Sequence, residues 1–165
     1  MGEQVEQETL KEQMDRVIEE ARMLLPGIQA LFGFQTIAAF NDRFSRLPDF
    51  VQDCHLAALA MVVTAIALVM MPAAYHRLAE PFQVSRRAIN LSSRCICYAM
   101  APLAGALSLD VFVVLHMVTG RPQLSGIGGL AAFLLLISLW FAYPLHARRR
   151  LKENQGQNLG SDPRV

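Results

Sequence analysis

The feature that most constrains this chain is the separation of its apolar and charged residues along the sequence. Apolar residues fill four blocks, at 23–40, 54–75, 95–118 and 124–145, and nearly all charged residues lie between them. A helix crosses the hydrocarbon core of a bilayer with about 20 predominantly apolar residues, which is close to the length of each block. No block shows the alternation of period two that a membrane barrel requires. The sequence therefore predicts an all-α integral membrane protein, a four-helix antiparallel bundle of transmembrane helices.

Residues 1–22, which precede the four-span domain at 23–146, are predicted to form an amphipathic helix in the cytoplasm. Their apolar positions recur at steps of three and four, which is typical of one helical face; they are Leu10, Met14, Val17, Ala21 and Leu24. The segment has an acidic excess, whereas binding to anionic lipid favours lysine and arginine. We therefore expect this stripe to pack on the bundle or on a second copy of the chain. The tail at 147–165 is basic and then polar, and is predicted to be disordered.

The basic residues predict the orientation of the helices. Of the 15 Lys and Arg residues, 12 lie in segments on the side of the two termini, and three lie on the opposite side, at Arg43, Arg46 and Arg121. By the positive-inside rule, both termini face the cytoplasm. The short connection at 119–123 also predicts that the third and fourth spans are antiparallel neighbours.

Composition restricts the classes of function. Charged residues make up 18% of the chain, against about 25% in ordinary soluble domains. The net charge of +1 gives no field that would attract nucleic acid. The sequence contains no Walker loop, zinc-protease motif or nucleophile elbow, so we expect no enzyme activity and no cofactor. The expected partners are the lipid bilayer and either a second copy or another membrane protein.

Several segments carry a resemblance to a known family. They are EARMLLPGIQ at 20–29, LFGFQ at 31–35, DRF at 42–44, HLAAL at 55–59 and MPAAYHR at 71–77, followed by Pro102, Leu103 and Asp110. Together they resemble a family of short, uncharacterised bacterial membrane proteins, over roughly residues 15–118. The resemblance implies a four-helix protein of the bacterial inner (plasma) membrane, and it implies no activity, substrate or catalytic residue.

Asp110 is the one acid inside the four apolar blocks. A carboxylate near the middle of a span costs about 2.5–3.5 kcal/mol on insertion scales, so its side chain should face the bundle rather than lipid. Counting residues along the spans places Gln35 and Thr64 within about one turn of the same depth. These three residues are predicted to form an intramembrane polar site. Two interpretations are open: a structural acid that is hydrogen-bonded to Gln35 or Thr64, or a site for a proton or cation in a pathway.

Each predicted span contains one proline in its cytoplasmic half: Pro26, Pro72, Pro102 and Pro144. Pro72 and Pro102 are predicted to kink their helices, because each removes one backbone hydrogen bond. The first interpretation is that the prolines lie near helix ends, as is common in membrane helices. The second is that they open a hydrated vestibule toward the cytoplasm.

The four histidines pair by predicted depth, with His55 and His116 at the outer boundary and His76 and His146 at the cytoplasmic one. Most lie at the ends of spans, where we expect interfacial anchoring. The alternative is that the two pairs ligate two b-type haems, or bind a transition metal.

Pairs of small residues at a spacing of four suit close packing between helices; they are Ala101 with Gly105, Ser125 with Gly129, and Gly128 with Ala132. The first functional hypothesis is a non-catalytic interaction or accessory component of the membrane. The alternative is a small proton- or cation-coupled transporter, or a subunit of one, centred on Asp110. The third hypothesis is a haem-binding electron carrier.

Overall fold

The structure, a computed structural model, describes residues 2–79 and 85–160, with side chains at 9–79 and 85–151. The predicted all-α class is confirmed, since every regular element in these ranges is helical. A short 3₁₀ turn at Phe44–Arg46 and a π-helical segment at Ser138–Ala142 interrupt the α-helices. The α-helices are α1 (Gly2–Ala39), α2 (Asp49–Ala79), α3 (Arg86–Thr119), α4 (Pro122–Ile137) and α5 (Tyr143–Gly160).

The predicted amphipathic segment and the first predicted span form one continuous helix, α1. Leu10 and Met14 are buried and pack with Ile18 against Ile89 of α3. The apolar stripe therefore packs on its own chain. Leu24, which was predicted to belong to the stripe, is exposed, and its neighbour Leu25 packs against the core instead.

Helices α2 and α3 extend beyond the apolar blocks that predicted them. A helix rises about 1.5 Å per residue, so a helix of more than 30 residues is longer than the hydrocarbon core is thick. α2 has 31 residues and α3 has 34, so residues 76–79 and 86–94 of the predicted connection are helical. The hydroxyl of Ser85 caps the start of α3 by accepting a hydrogen bond of 3.1 Å from the backbone N–H of Ala88.

Helix α3 lies at the centre of the arrangement. It packs against α1, α2 and α4, whereas the extensive contacts of α4 are with α3 and with the π-helical segment that follows it. The two helices are joined by a tight turn in which Gly120 has a φ of 64°, a left-handed conformation that glycine adopts without steric cost. Pro122 then begins α4, where its missing N–H is harmless. The predicted antiparallel pairing of the third and fourth spans has this structural basis.

A π-helical segment joins α4 to α5 just before Pro144. The backbone N–H of Tyr143 bonds to the carbonyl oxygen of Ser138, five residues earlier rather than four. Proline cannot donate to the carbonyl four residues before it and its ring clashes there, so the wider turn accommodates Pro144. The backbone remains helical to Gly160, whereas the tail from residue 147 was predicted to be disordered; residues 161–165 lie outside the described part of the chain.

Three helical stretches are long and apolar enough to cross a membrane: Asp49–Ala79, Arg86–Thr119 and Pro122–Leu151. They correspond to the second, third and fourth predicted spans. Helix α1 is not among them, because its apolar half is diluted by residues such as Pro26, Gln29 and Gln35. Three of the four predicted spans thus meet the requirements of length and composition. The first predicted span, which lies in α1, stays a prediction.

Candidate functional site

The structure brings Asp110 of α3 against Gln35 of α1. The side-chain amide nitrogen Nε2 of Gln35 donates a hydrogen bond of 2.8 Å to Oδ2 of Asp110. Gln35 is buried and Asp110 is half-buried. The acid therefore faces the neighbouring helices, as expected from the cost of exposing a carboxylate to lipid.

His55 of α2 completes this group from the other side of Gln35. Its ring nitrogen Nε2 lies 3.0 Å from the main-chain carbonyl oxygen of Gln35. A carbonyl oxygen only accepts, so Nε2 carries the proton in this contact. The ring also packs edge-on against Phe44, with centroids 4.9 Å apart. Three helices thus meet at Gln35, and the 3₁₀ turn joins the group through the contact of Phe44 with His55.

A largely apolar pocket of about 260 Å³ adjoins the group. Gln35, Phe44, His55 and Asp110 line it, together with apolar side chains of α1 and α3. The side-chain oxygen Oε1 of Gln35 is buried and has no hydrogen-bond partner among the described residues. A buried carbonyl-type oxygen without a partner costs free energy, so this atom is a vacant acceptor beside the only acid of the predicted spans. The arrangement offers two kinds of oxygen, carboxylate and amide, to a proton donor or a small cation.

Thr64, the third residue of the predicted site, lies elsewhere. Its side chain is exposed and its hydroxyl donates a hydrogen bond of 2.8 Å to the carbonyl oxygen of Ala60, one turn earlier in α2. Counting residues along a span gives depth but not the direction of the side chain around the helix. The prediction that Thr64 neighbours Asp110 is therefore wrong. The residue of α2 that belongs to this group is His55.

The sequence interpretation of His55 as an interfacial anchor is also wrong. α2 begins at Asp49 rather than near Cys54, so His55 lies in the second turn of the helix and is buried. Measured from the connection at 40–48, Gln35 and His55 lie at similar depths on adjacent helices. That symmetry about the connection is the signal that could have identified His55.

His116 is buried too, among aromatic rings near the end of α3. Its ring centroid is 5.8 Å from that of Phe50 and 6.0 Å from that of Phe112. Its Nδ1 atom has no hydrogen-bond partner in the described ranges. The sequence interpretation of His116 as a boundary anchor therefore does not hold either.

The structure does not bring together His76 and His146, the histidine pair that is predicted to lie at the cytoplasmic boundary. His146 is exposed and its Nε2 accepts a hydrogen bond of 3.0 Å from Arg150 of the same helix. His76 lines a separate pocket between α1 and α2, and the extensive contacts of α5 are with the π-helical segment. Within residues 9–79 and 85–151, no cluster of three or more His, Cys, Asp or Glu side chains could hold a metal ion.

The helices run continuously through Pro26, Pro72 and Pro102. Pro72 is buried and lines the pocket between α1 and α2. The structure therefore places the predicted kink positions inside helices rather than at their ends. Pro144 lies two residues after the π-helical segment at Ser138–Ala142.

A second apolar feature is a groove of about 390 Å³ between α2 and α4, with α3 as its floor. Gly105, Gly126 and Gly129 line it together with Met61 and Leu130. A Cβ added at Gly129 would lie 3.0 Å from Cβ of Phe112 and 3.1 Å from the carbonyl oxygen of Ser108, whereas one at Gly126 would meet no atom within 4 Å. Gly129 thus allows α4 to approach α3, and Gly126 is open to whatever occupies the groove.

A model of a family of unknown function (DUF6328) matches residues 3–144. The chain belongs to this family, which confirms the predicted resemblance to an uncharacterised family. Neither the curated proteins nor the solved structures include a match.

Proposed function

We propose that this member of a family of unknown function is a non-catalytic, multi-pass component of the bacterial inner membrane that associates with another membrane helix. Both termini would lie in the cytoplasm, as the distribution of basic residues predicts. The groove between α2 and α4 is the observation that supports association. The partner helix would come from a second copy of the chain or from another membrane protein.

The groove suits a helix because of its lining. In a bilayer an apolar cleft holds either lipid chains or apolar side chains, since water is unfavourable there. Small residues on a helix surface let a second backbone approach closely, which strengthens dispersion contacts where no hydrophobic driving force operates. Gly126 supplies such an open surface on α4. Only 11% of the apolar window of Pro122–Leu151 is buried, against 28% for α2 and α3, so this stretch has more surface left for a partner than α2 or α3.

Filling the groove tests the proposal. Gly126→Leu places a side chain in open space, so the fold should persist while a partner helix is excluded. Ala131→Leu is the matched control, because it adds similar volume at an exposed position of α4 outside the groove. We expect cross-linking in native membranes to give a larger species with the parent protein and the control, and its loss with Gly126→Leu. A parent protein that is a monomer of 18.3 kDa with no cross-linked partner would overturn the proposal.

The alternative function, a proton- or cation-coupled transporter or a subunit of one, rests on the group around Asp110. Its support is the unpartnered oxygen of Gln35 beside the Asp110 carboxyl group and the adjoining pocket. Intramembrane acids with polar neighbours commonly belong to ion pathways. In this hypothesis Asp110 binds and releases the proton or cation, and Gln35 orients the carboxyl group.

Flux measurements separate the two functions. If the chain is a transporter, reconstituted vesicles with an entrapped pH-sensitive dye should show flux with the parent protein and none with Asp110→Asn, which should fold but cannot release a proton. Thr64→Val is the control, because Thr64 lies away from the group. Vesicles of the parent protein without flux, at a density that gives cross-linked partners, would favour the accessory function.

A further inference from the structure

A pocket of about 270 Å³ lies between α1 and α2, far along both helices from the Asp110 group. The described side chains around it divide into two kinds. Three are basic, Arg22, His76 and Arg77, and the others are apolar, among them Leu25, Val69 and Met70. We propose that this pocket binds one anionic phospholipid, with the phosphate at the basic side chains and an acyl chain along the apolar wall.

The order of these residues along the helices supports a lipid rather than a free anion. Arg22 directly precedes the apolar part of α1, and His76 and Arg77 directly follow that of α2. In the predicted orientation the basic groups therefore lie at the level of the cytoplasmic headgroups, and Leu25 and Val69 lie at the level of the acyl chains. A pocket that is cationic at one end and apolar at the other matches the two parts of a phospholipid.

Charge complementarity supports an anionic headgroup. No carboxylate is among the described residues that line the pocket. Neither Arg22 nor Arg77 forms an ion pair or hydrogen bond within 9–79 and 85–151, so their guanidinium donors are available. Guanidinium groups bind phosphate through paired N–H donors, and basic pockets between helices on the cytoplasmic side suit anionic lipids.

The packing of the pocket supplies the apolar part. Val69 and Pro72 are buried in the interface, and Leu25 packs against the same core cluster. Ala73, which is half-buried, leaves space on the α2 side of the pocket. A larger side chain at Ala73 would occupy that space without changing the charge.

The test is retention of lipid by the purified full chain, measured by native mass spectrometry in detergent. Phosphatidylglycerol is the probe, and phosphatidylcholine with the same acyl chains is the comparison. Losing one basic contact near a headgroup weakens binding about fivefold, so Arg22→Gln with Arg77→Gln should weaken phosphatidylglycerol binding about 25-fold. Ala73→Phe should weaken it with the charge unchanged. Arg148→Gln with Arg149→Gln removes the same charge outside the pocket and should change binding less than twofold.

Three results would overturn the lipid site. Equal losses from the two arginine pairs would indicate diffuse attraction to the charged surface. Equal retention of phosphatidylcholine would exclude a role for headgroup charge. Glycerol 3-phosphate that binds as tightly as phosphatidylglycerol would show that no acyl chain is held. Circular dichroism and thermal unfolding of each variant would establish that it is folded.

The inference rests on the membrane location in the proposed function, and not on the partner helix. A chain that carbonate releases from membranes would refute both the membrane location and the lipid site. A chain that resists carbonate but retains no phosphatidylglycerol would refute the lipid site alone. The cross-linking result with Gly126→Leu tests only the groove between α2 and α4. It neither supports nor contradicts the lipid site between α1 and α2.

Discussion

Gln35 and Asp110 are 75 positions apart in the sequence and are joined by one hydrogen bond of 2.8 Å between their side chains. This bond ties α1 to α3 inside the part of the molecule that is predicted to lie in the bilayer. The main-chain carbonyl of Gln35 also contacts His55 of α2. The three residues therefore link α1, α2 and α3.

Substitutions at Asp110 should separate shape from charge. Asp110→Asn keeps a side-chain oxygen that can accept the hydrogen bond from Nε2 of Gln35, so the fold should be preserved. Asp110→Leu leaves the buried amide of Gln35 without its acceptor and should cost about 1–2 kcal/mol of stability, at the lower end in a membrane. Unfolding of the purified variants in increasing denaturing detergent measures the difference. Equal stability of the two variants would show that the hydrogen bond contributes nothing.

Gly126 and Gly129 of α4 should respond differently to a methyl group. At Gly129 the new Cβ would approach Cβ of Phe112 and the Ser108 carbonyl to about 3 Å. These atoms belong to or adjoin the backbone of α3, which must shift by a few tenths of an ångström, so we expect a loss of about 1–3 kcal/mol. At Gly126 alanine meets no neighbour and should leave stability unchanged or raise it by up to about 1 kcal/mol. Thermal unfolding in one detergent compares the two variants. A Gly129→Ala protein as stable as Gly126→Ala would contradict the close packing.

The orientation of the chain can be tested with reporter fusions. A reporter fused after residue 47 or after residue 121 should lie on the outer side, and one fused after residue 152 on the inner side, because 12 of the 15 Lys and Arg residues accompany the termini. A cytoplasmic signal at residue 47 would mean that α1 does not cross the membrane. That fusion is the most informative one, since α1 is the least apolar of the predicted spans.

The proline interpretations differ in what they predict for Pro102. If α3 merely accommodates Pro102, Pro102→Ala restores one backbone hydrogen bond to the Tyr98 carbonyl. The stability of the protein is then unchanged or higher. If the prolines open a vestibule, cysteines at positions 68 and 98 should react with water-soluble thiol reagents from the cytoplasmic side, in a background without native cysteines. The absence of labelling at both positions would remove the vestibule hypothesis.

Periodicity and the distribution of charge predicted the helical class, the approximate helix positions and the α3–α4 turn. These features depend on local chemistry: block length, the position of Gly120 and the missing N–H of Pro122. The helix ends were less predictable, because α2 and α3 continue past the apolar blocks into polar sequence. Apolar content indicates where a helix can enter lipid and not where its hydrogen bonds end.

The Asp110 site was predictable in part. The insertion cost of an acid predicted that Asp110 faces other helices, and depth counting selected Gln35 as a neighbour. The same counting selected Thr64, whose hydroxyl instead bonds to its own helix. The direction of a side chain around the helix axis depends on which faces pack together, and that is decided by contacts between distant parts of the chain.

The π-helical segment before Pro144 changes how the two ends of this long helix are related. A loop that closes over five residues holds about one residue more than an α-turn, so the angular phase of the helix shifts by about a quarter of a turn across Ser138–Ala142. Ser125 and Gly129 are buried and face α3. A helical wheel drawn through the whole stretch therefore gives the wrong angular position, relative to this face, for the basic cluster Arg148, Arg149 and Arg150. A residue with a backbone N–H at position 144 would allow the turn to close as an ordinary α-helix, and the basic cluster would then rotate about the helix axis relative to α4.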